Sequence, residues 1–141
     1  MTTSELASAY PALLMLVNDF FRALDENDTE VATALFLKDG RWIRPSGTLN
    51  GVDEIRAEIA KRNPERISRH IVSNLRILEF APTRCRIAYN LTTYAGPRGN
   101  GGVIDLEGPA GVLDCDDVAV LTDGQWLFAE RSAAQIFRRN S

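Results

Sequence analysis

The spacing of apolar residues changes once along this chain, near residue 66, and that change constrains the fold more than any other feature. Before it, apolar side chains recur every three or four residues. "LLMLVNDFFRAL" (13–24) places Leu13, Leu14, Val17, Phe20, Phe21 and Leu24 on one stripe, which predicts an amphipathic helix. Pro11 fits such a helix only near its first turn. "DEND" (25–28) breaks the pattern. Asn27 followed by Glu30 has capping-box spacing for a short second helix, "TEVATALF". "KDG" (38–40) predicts a turn, and "RWIRP" (41–45) a short strand ended by proline. "VDEIRAEIAKR" (52–62) predicts a third helix, stopped by Asn63-Pro64.

After residue 66 the period becomes two. "RISRHIVSNLRILEF" (66–80) and "TRCRIAYNLTTYA" (83–95) read as one pair of long strands. "AGVLDCDDVAVLT" (110–122) and "QWLFAERSAAQIF" (125–137) read as another, joined at Asp123-Gly124. The Gly- and Pro-rich "GPRGNGGVIDLEGP" (96–109) connects the pairs; it lacks phosphate-loop spacing and opens no helix. Helices first and antiparallel strands second give an α+β class. All 141 residues fit one domain. A long curved sheet wrapped around the helices makes a concave pocket lined by alternate strand residues.

Composition excludes several functions. Net charge is −3, with no basic surplus for phosphate contacts, which argues against nucleic acid as a partner. No apolar run is long enough for a membrane span, and "MTTSELASAY" lacks the order of a signal peptide. Cys85 and Cys115 read as reduced thiols of a cytoplasmic protein. One histidine, two scattered cysteines and carboxylates without calcium-loop spacing support no metal site.

The chemistry-bearing candidates are few. His70 is the only histidine, and histidine is the side chain that titrates near neutral pH. Strict alternation places His70, Val72, Asn74 and Arg76 on one strand face, so an imidazole and an amide would share a surface. A half-buried strand histidine fits the same spacing. Asp25 ends the first apolar helix, where the helix dipole disfavours a carboxylate. It either caps a solvated turn or accepts a hydrogen bond from His70 and fixes its tautomer. In "WLFAERSAAQIF", alternation puts Arg131 with Leu127 and Ala129, opposite Trp126 and Phe128. A buried arginine there needs a partner, either an acid of the fold or a substrate carboxylate. Tyr89 and Tyr94 point to opposite faces, so one of them reaches the pocket. Trp42 and the helix phenylalanines supply apolar walls.

The chain as a whole resembles the SnoaL-like families of the nuclear transport factor 2-like superfamily. The segments that carry the resemblance are "FFRALDENDTEVATALF" (20–36), "DGRW" (39–42), "GVDEIRAEIA" (51–60), "RHIVSNLRI" (69–77) and "DGQWLFAER" (123–131). The resemblance implies a cone-shaped α+β fold of the cystatin-like kind. One branch is similar to scytalone and bile-acid dehydratases, which place an acid–base Asp and His where Asp25 and His70 stand. Those dehydratases usually carry a tyrosine near the position of Phe20, so this chain departs from them there. The implied activity is a dehydratase or isomerase for an apolar cyclic or polyketide-like molecule, without a cofactor. In it Asn74, Tyr94 or Arg131 would hold substrate oxygens, and Trp42 and Phe20 would wall the pocket. A second branch is similar to the β subunit of aromatic-ring-hydroxylating dioxygenases, whose partner is an iron-bearing α subunit. A pocket that binds without turnover is a third expectation. The resemblance also implies a homodimer.

Overall fold

A computed structural model describes residues 2–140 and gives three helices and six strands. Helix α1 spans Thr3–Asp25, α2 Thr29–Ala34 and α3 Val52–Ile59. The strands are β1 Phe36–Arg44, β2 Gly47–Asn50, β3 Arg66–Ala81, β4 Arg84–Pro97, β5 Gly111–Thr122 and β6 Gln125–Arg138. They form one sheet in the order β2-β1-β6-β5-β4-β3. Every neighbouring pair is antiparallel except β1 and β6, which run parallel. No helix among the described residues is long and apolar enough to cross a membrane.

Helix α1 starts ten residues before the apolar stripe because Thr2 and Glu5 form a capping box around its first turn. Pro11 therefore lies inside the helix, not in its first turn as expected, and removes one i→i−4 hydrogen bond. The neighbouring Tyr10 hydroxyl donates to the Leu75 carbonyl of β3 at 2.8 Å and ties this stretch of helix to the sheet. The stripe from Ala9 to Leu24 is buried against the inner sheet face, on Leu75, Ile87, Tyr89, Leu91, Ala119 and Phe128. That apolar burial is what holds helix and sheet together. Cys85 and Cys115 are free and buried in the same core.

Several local expectations shift. Asp28, not Asn27, caps α2, through its carboxylate and the Val31 amide at 3.1 Å. Asn27 instead adopts a left-handed backbone, φ 57°, which Asn tolerates better than most residues. The "KDG" turn is absorbed into β1, whose pairing with β6 shifts register between Phe36 and Arg41. The α3 helix ends at Ile59, before the predicted end at residue 62. Strand β2 has no counterpart in the expectation: four residues are too few for a period to show.

Two irregularities reset which residues face inward. In β3 the register with β4 shifts between Ser73 and Arg76, and Asn74 has φ 58°. In β6 the register with β5 shifts between the pairs Val118–Glu130 and Ala119–Phe128. A bulge inserts an extra residue and re-aims the side chains beyond it. Phe128 and Arg131 thereby come to the same face, against the alternation read from sequence. Arg131 lies 5.5 Å from the Phe128 ring centre.

Candidate active site

Asp25 is the last residue of α1, where the helix carbonyls make a carboxylate unfavourable. Three hydrogen bonds offset that cost. His70 Nδ1 lies 2.6 Å from Asp25 Oδ1, the His70 backbone N–H donates to Oδ2 at 3.0 Å, and the Ser68 hydroxyl donates to Oδ1 at 2.7 Å. Ser68 and His70 can both reach the acid because they are two residues apart on one strand face. Arg62, in the connection between α3 and β3, donates from Nη2 to Ser68 Oγ at 2.9 Å and completes a chain Arg62–Ser68–Asp25–His70. Phe21, one turn earlier on α1, stacks on the imidazole with ring centres 5.0 Å apart.

This geometry places a shared proton between Asp25 and His70 Nδ1. Burial pushes the Asp25 carboxyl up, but the hydrogen bonds from His70 and Ser68 and the nearby imidazole outweigh it, and the carboxyl is held below its usual value. A carboxylate only accepts, so Nδ1 carries the proton that lies between them. In the neutral ring, Nε2 then has a free lone pair, and it has no hydrogen-bond partner among the described residues. The ring lines an open cavity of about 390 Å³, bounded also by Arg62, Arg66, Thr93, Leu113 and Gln135. An imidazole with one nitrogen held and the other unpartnered, in a residue that lines a ligand-sized space, has the parts that proton transfer needs.

The other expected site residues are dispersed. Asn74 does not share the His70 face: at the β3 bulge it turns to the outer face and donates to Asn90, which donates to Asp114. Tyr94 is the register partner of Arg69, on the strand face opposite His70, yet it borders the same cavity. Tyr89, the alternative tyrosine, faces inward but is sealed: its hydroxyl donates to Asp117 Oδ2 at 2.6 Å. Arg131 belongs with that pair. It is buried, donates to the Tyr89 oxygen at 2.9 Å and lies 3.4 Å from Asp117 Oδ2. Its guanidinium sits against the rings of Phe20, Phe21, Trp42 and Phe128 at 4.5–5.5 Å. Phe20 and Trp42 thus enclose Arg131 and do not line the His70 cavity. Burial pushes the Asp117 carboxyl up, against the pull of Arg131 and the Tyr89 hydroxyl.

Ser68, Arg62 and Asp117 complete these networks and were not among the residues singled out from sequence. Ser68 left a signal, its two-residue spacing from His70. Arg62 left none, because it lies in an irregular connection; Asp117 faces Arg131 across the β5–β6 hairpin, but only after the bulge in β6 shifts the register that strict alternation gives. No group of three His, Cys, Asp or Glu side chains among the described residues converges as a metal site.

Residues 5–132 match the family model of the SnoaL-like domain. The chain belongs to that family. Solved structures agree on the fold of this SnoaL-like domain. A putative scytalone dehydratase from Novosphingobium aromaticivorans matches with TM-score 0.81 and 21% identity, covering 99% of this chain and 92% of that one. ActVI-ORFA from Streptomyces coelicolor matches with TM-score 0.77 and 18% identity over 91% and 97%. The hexachlorocyclohexane dehydrochlorinase LinA-type3 from Novosphingobium barchaimii matches with TM-score 0.77 and 14% identity over 98% and 93%. At these identities the likeness is one of fold. No curated protein matches the sequence.

Proposed function

We propose that this SnoaL-like domain is a dehydratase or isomerase that acts, without a cofactor, on a small apolar cyclic or polyketide-like molecule. The observation that carries the reading is the Asp25–His70 pair at 2.6 Å, one ring nitrogen held and the ring open to the cavity. Two of the similar structures bear names of eliminations, a dehydratase and a dehydrochlorinase, which agrees with such chemistry.

In the forward step His70 Nε2 takes a proton from a carbon next to a carbonyl. The electron pair left behind forms a carbon–carbon double bond as the neighbouring C–O bond breaks, and the proton passes from Nε2 to the departing hydroxyl, which leaves as water. In an isomerisation the same proton returns to a different carbon. Asp25 takes no proton; it stabilises the imidazolium and holds the ring. Tyr94, Thr93 and Gln135 border the space where the substrate oxygens would sit.

The test is turnover of a panel of bicyclic β-hydroxy ketones, with and without a carboxylate substituent, followed by loss of water, for the native protein and for His70→Asn. Turnover by the native protein, with kcat lowered roughly 10²- to 10⁴-fold in the variant, is the expected result. Equal turnover by the two proteins removes His70 from the mechanism. Absence of turnover by the native protein favours binding without chemistry.

A further inference from the structure

The lining of the His70 cavity is cationic. Arg62 and Arg66 border it, and no carboxylate does. The nearest acid, Asp25, is already engaged by His70 and Ser68. Elsewhere the guanidiniums of Arg41, Arg44, Arg56, Arg86 and Arg131 each meet a carboxylate within 4.0 Å. Arg62 and Arg66 meet none among the described residues; Arg69, Arg76, Arg84, Arg98 and Arg138 also meet none, but they do not line this cavity. Arg62 gives one donor to Ser68, but its Nε–H is buried and finds no acceptor. Buried donors are almost always satisfied, so the unpartnered Nε–H leaves the Arg62 guanidinium with unused hydrogen-bonding capacity beside a cavity that this residue lines. The two guanidiniums also repel: Arg66 adds to burial in lowering the Arg62 pKa. Such an arrangement is relieved by an anion between them, and a planar guanidinium matches a carboxylate in charge and shape.

We infer that Arg62 and Arg66 bind a carboxylate on the substrate, fixing one end of the molecule while its reacting carbon lies at His70. The substrate class is therefore a small cyclic carboxylic acid. This rests on the proposed use of the His70 cavity. Arg62 has a second role in the arrangement. Its Nη2 holds Ser68, which holds Asp25, so the group that reads the substrate also touches the chain that orients the base.

The experiment uses the single histidine, whose ring gives one set of imidazole NMR signals. The native protein is titrated with 2-naphthoate and, separately, with the neutral 2-naphthamide of nearly equal shape. The expected result is that both move the His70 signals, with naphthoate binding about tenfold more tightly, the gain of one charge-assisted contact. In Arg62→Gln/Arg66→Gln the two affinities should become equal, through loss of naphthoate binding alone. Should the double variant fail to fold, Arg66→Gln suffices: Arg66 is exposed, and its replacement should still narrow the preference. Equal affinities in the native protein overturn the carboxylate inference and leave the cavity reading standing. A His70 spectrum unmoved by either probe overturns the cavity reading and the inference with it.

Discussion

Two buried polar networks lie on the inner face of one sheet and spend their charges differently. Asp117, Tyr89 and Arg131 form a closed set, each at most 2% exposed, with aromatic rings around the cation. Asp25, Ser68, Arg62 and His70 form an open set that ends at a cavity. Phe21 separates them, with its ring 5.0 Å from His70 and 6.3 Å from Tyr89. In the closed set the opposite charges meet one another, with Asp117 Oδ1 left as its single unpartnered oxygen, and the set serves architecture. Charge buried with one free end is available to a ligand. Depth alone does not decide which arginine is free to meet a ligand: Arg131 is the more buried cation, and Arg62 is the one with an unused donor.

Removing a member of the closed set should have the largest effect on stability. Arg131→Ala leaves Asp117 buried without its cation and should cost about 3–5 kcal/mol, read from the urea midpoint. Replacing Asp117 by Leu in the same chain should recover part of that loss, since an absent charge needs no partner. A loss below about 1 kcal/mol for Arg131→Ala would place the cation in solvent and abolish the contrast.

Removing a member of the open set should cost less and depend on pH. Asp25→Asn weakens three hydrogen bonds and should destabilise the protein by about 1–3 kcal/mol at pH 7. The folded state holds the Asp25 carboxyl below its ordinary value of 3.8, so the unfolded chain takes up the proton first as the solution is acidified. The stability from its charge is complete above the ordinary value and is lost as pH falls through the folded one. The gap between native and variant midpoints should therefore narrow below pH 3.8. A constant gap would mean that the charge of Asp25 contributes nothing.

The smallest effect concerns Cys115, the register partner of Tyr89 in the closed region. Burial pushes its thiol up to about 11, beyond the opposing pull of Arg131. At pH 8 an aromatic disulfide reagent should leave it unmodified in the native protein and modify it in urea. Rapid labelling without denaturant would show that the closed region opens often.

Which parts were legible in the sequence follows from how each is encoded. The α1 stripe and the four long strands repeat a period many times, so their order and class could be read directly. A bulge is a single extra residue, and one residue reverses every side chain beyond it. That is why Asn74 was expected beside His70 and Arg131 opposite Phe128. The Asp25–His70 pairing joins two ends of periodic elements; the resemblance to dehydratases pointed to it, while spacing alone left it open. Arg62 escaped because it lies in an irregular connection, where no period constrains a side chain.

The parallel pairing of β1 with β6 joins strands from distant parts of the chain. All the other strands are made between them, over seconds of synthesis at ordinary translation rates. Until Gln125–Arg138 emerges from the ribosome, the first hairpin has no place in the sheet, and Asp117 has no cation. The nascent polypeptide must therefore wait with its longest apolar helix incompletely covered. Full cover for that helix thus arrives only with the last strand made, whose Phe128 packs in the same core.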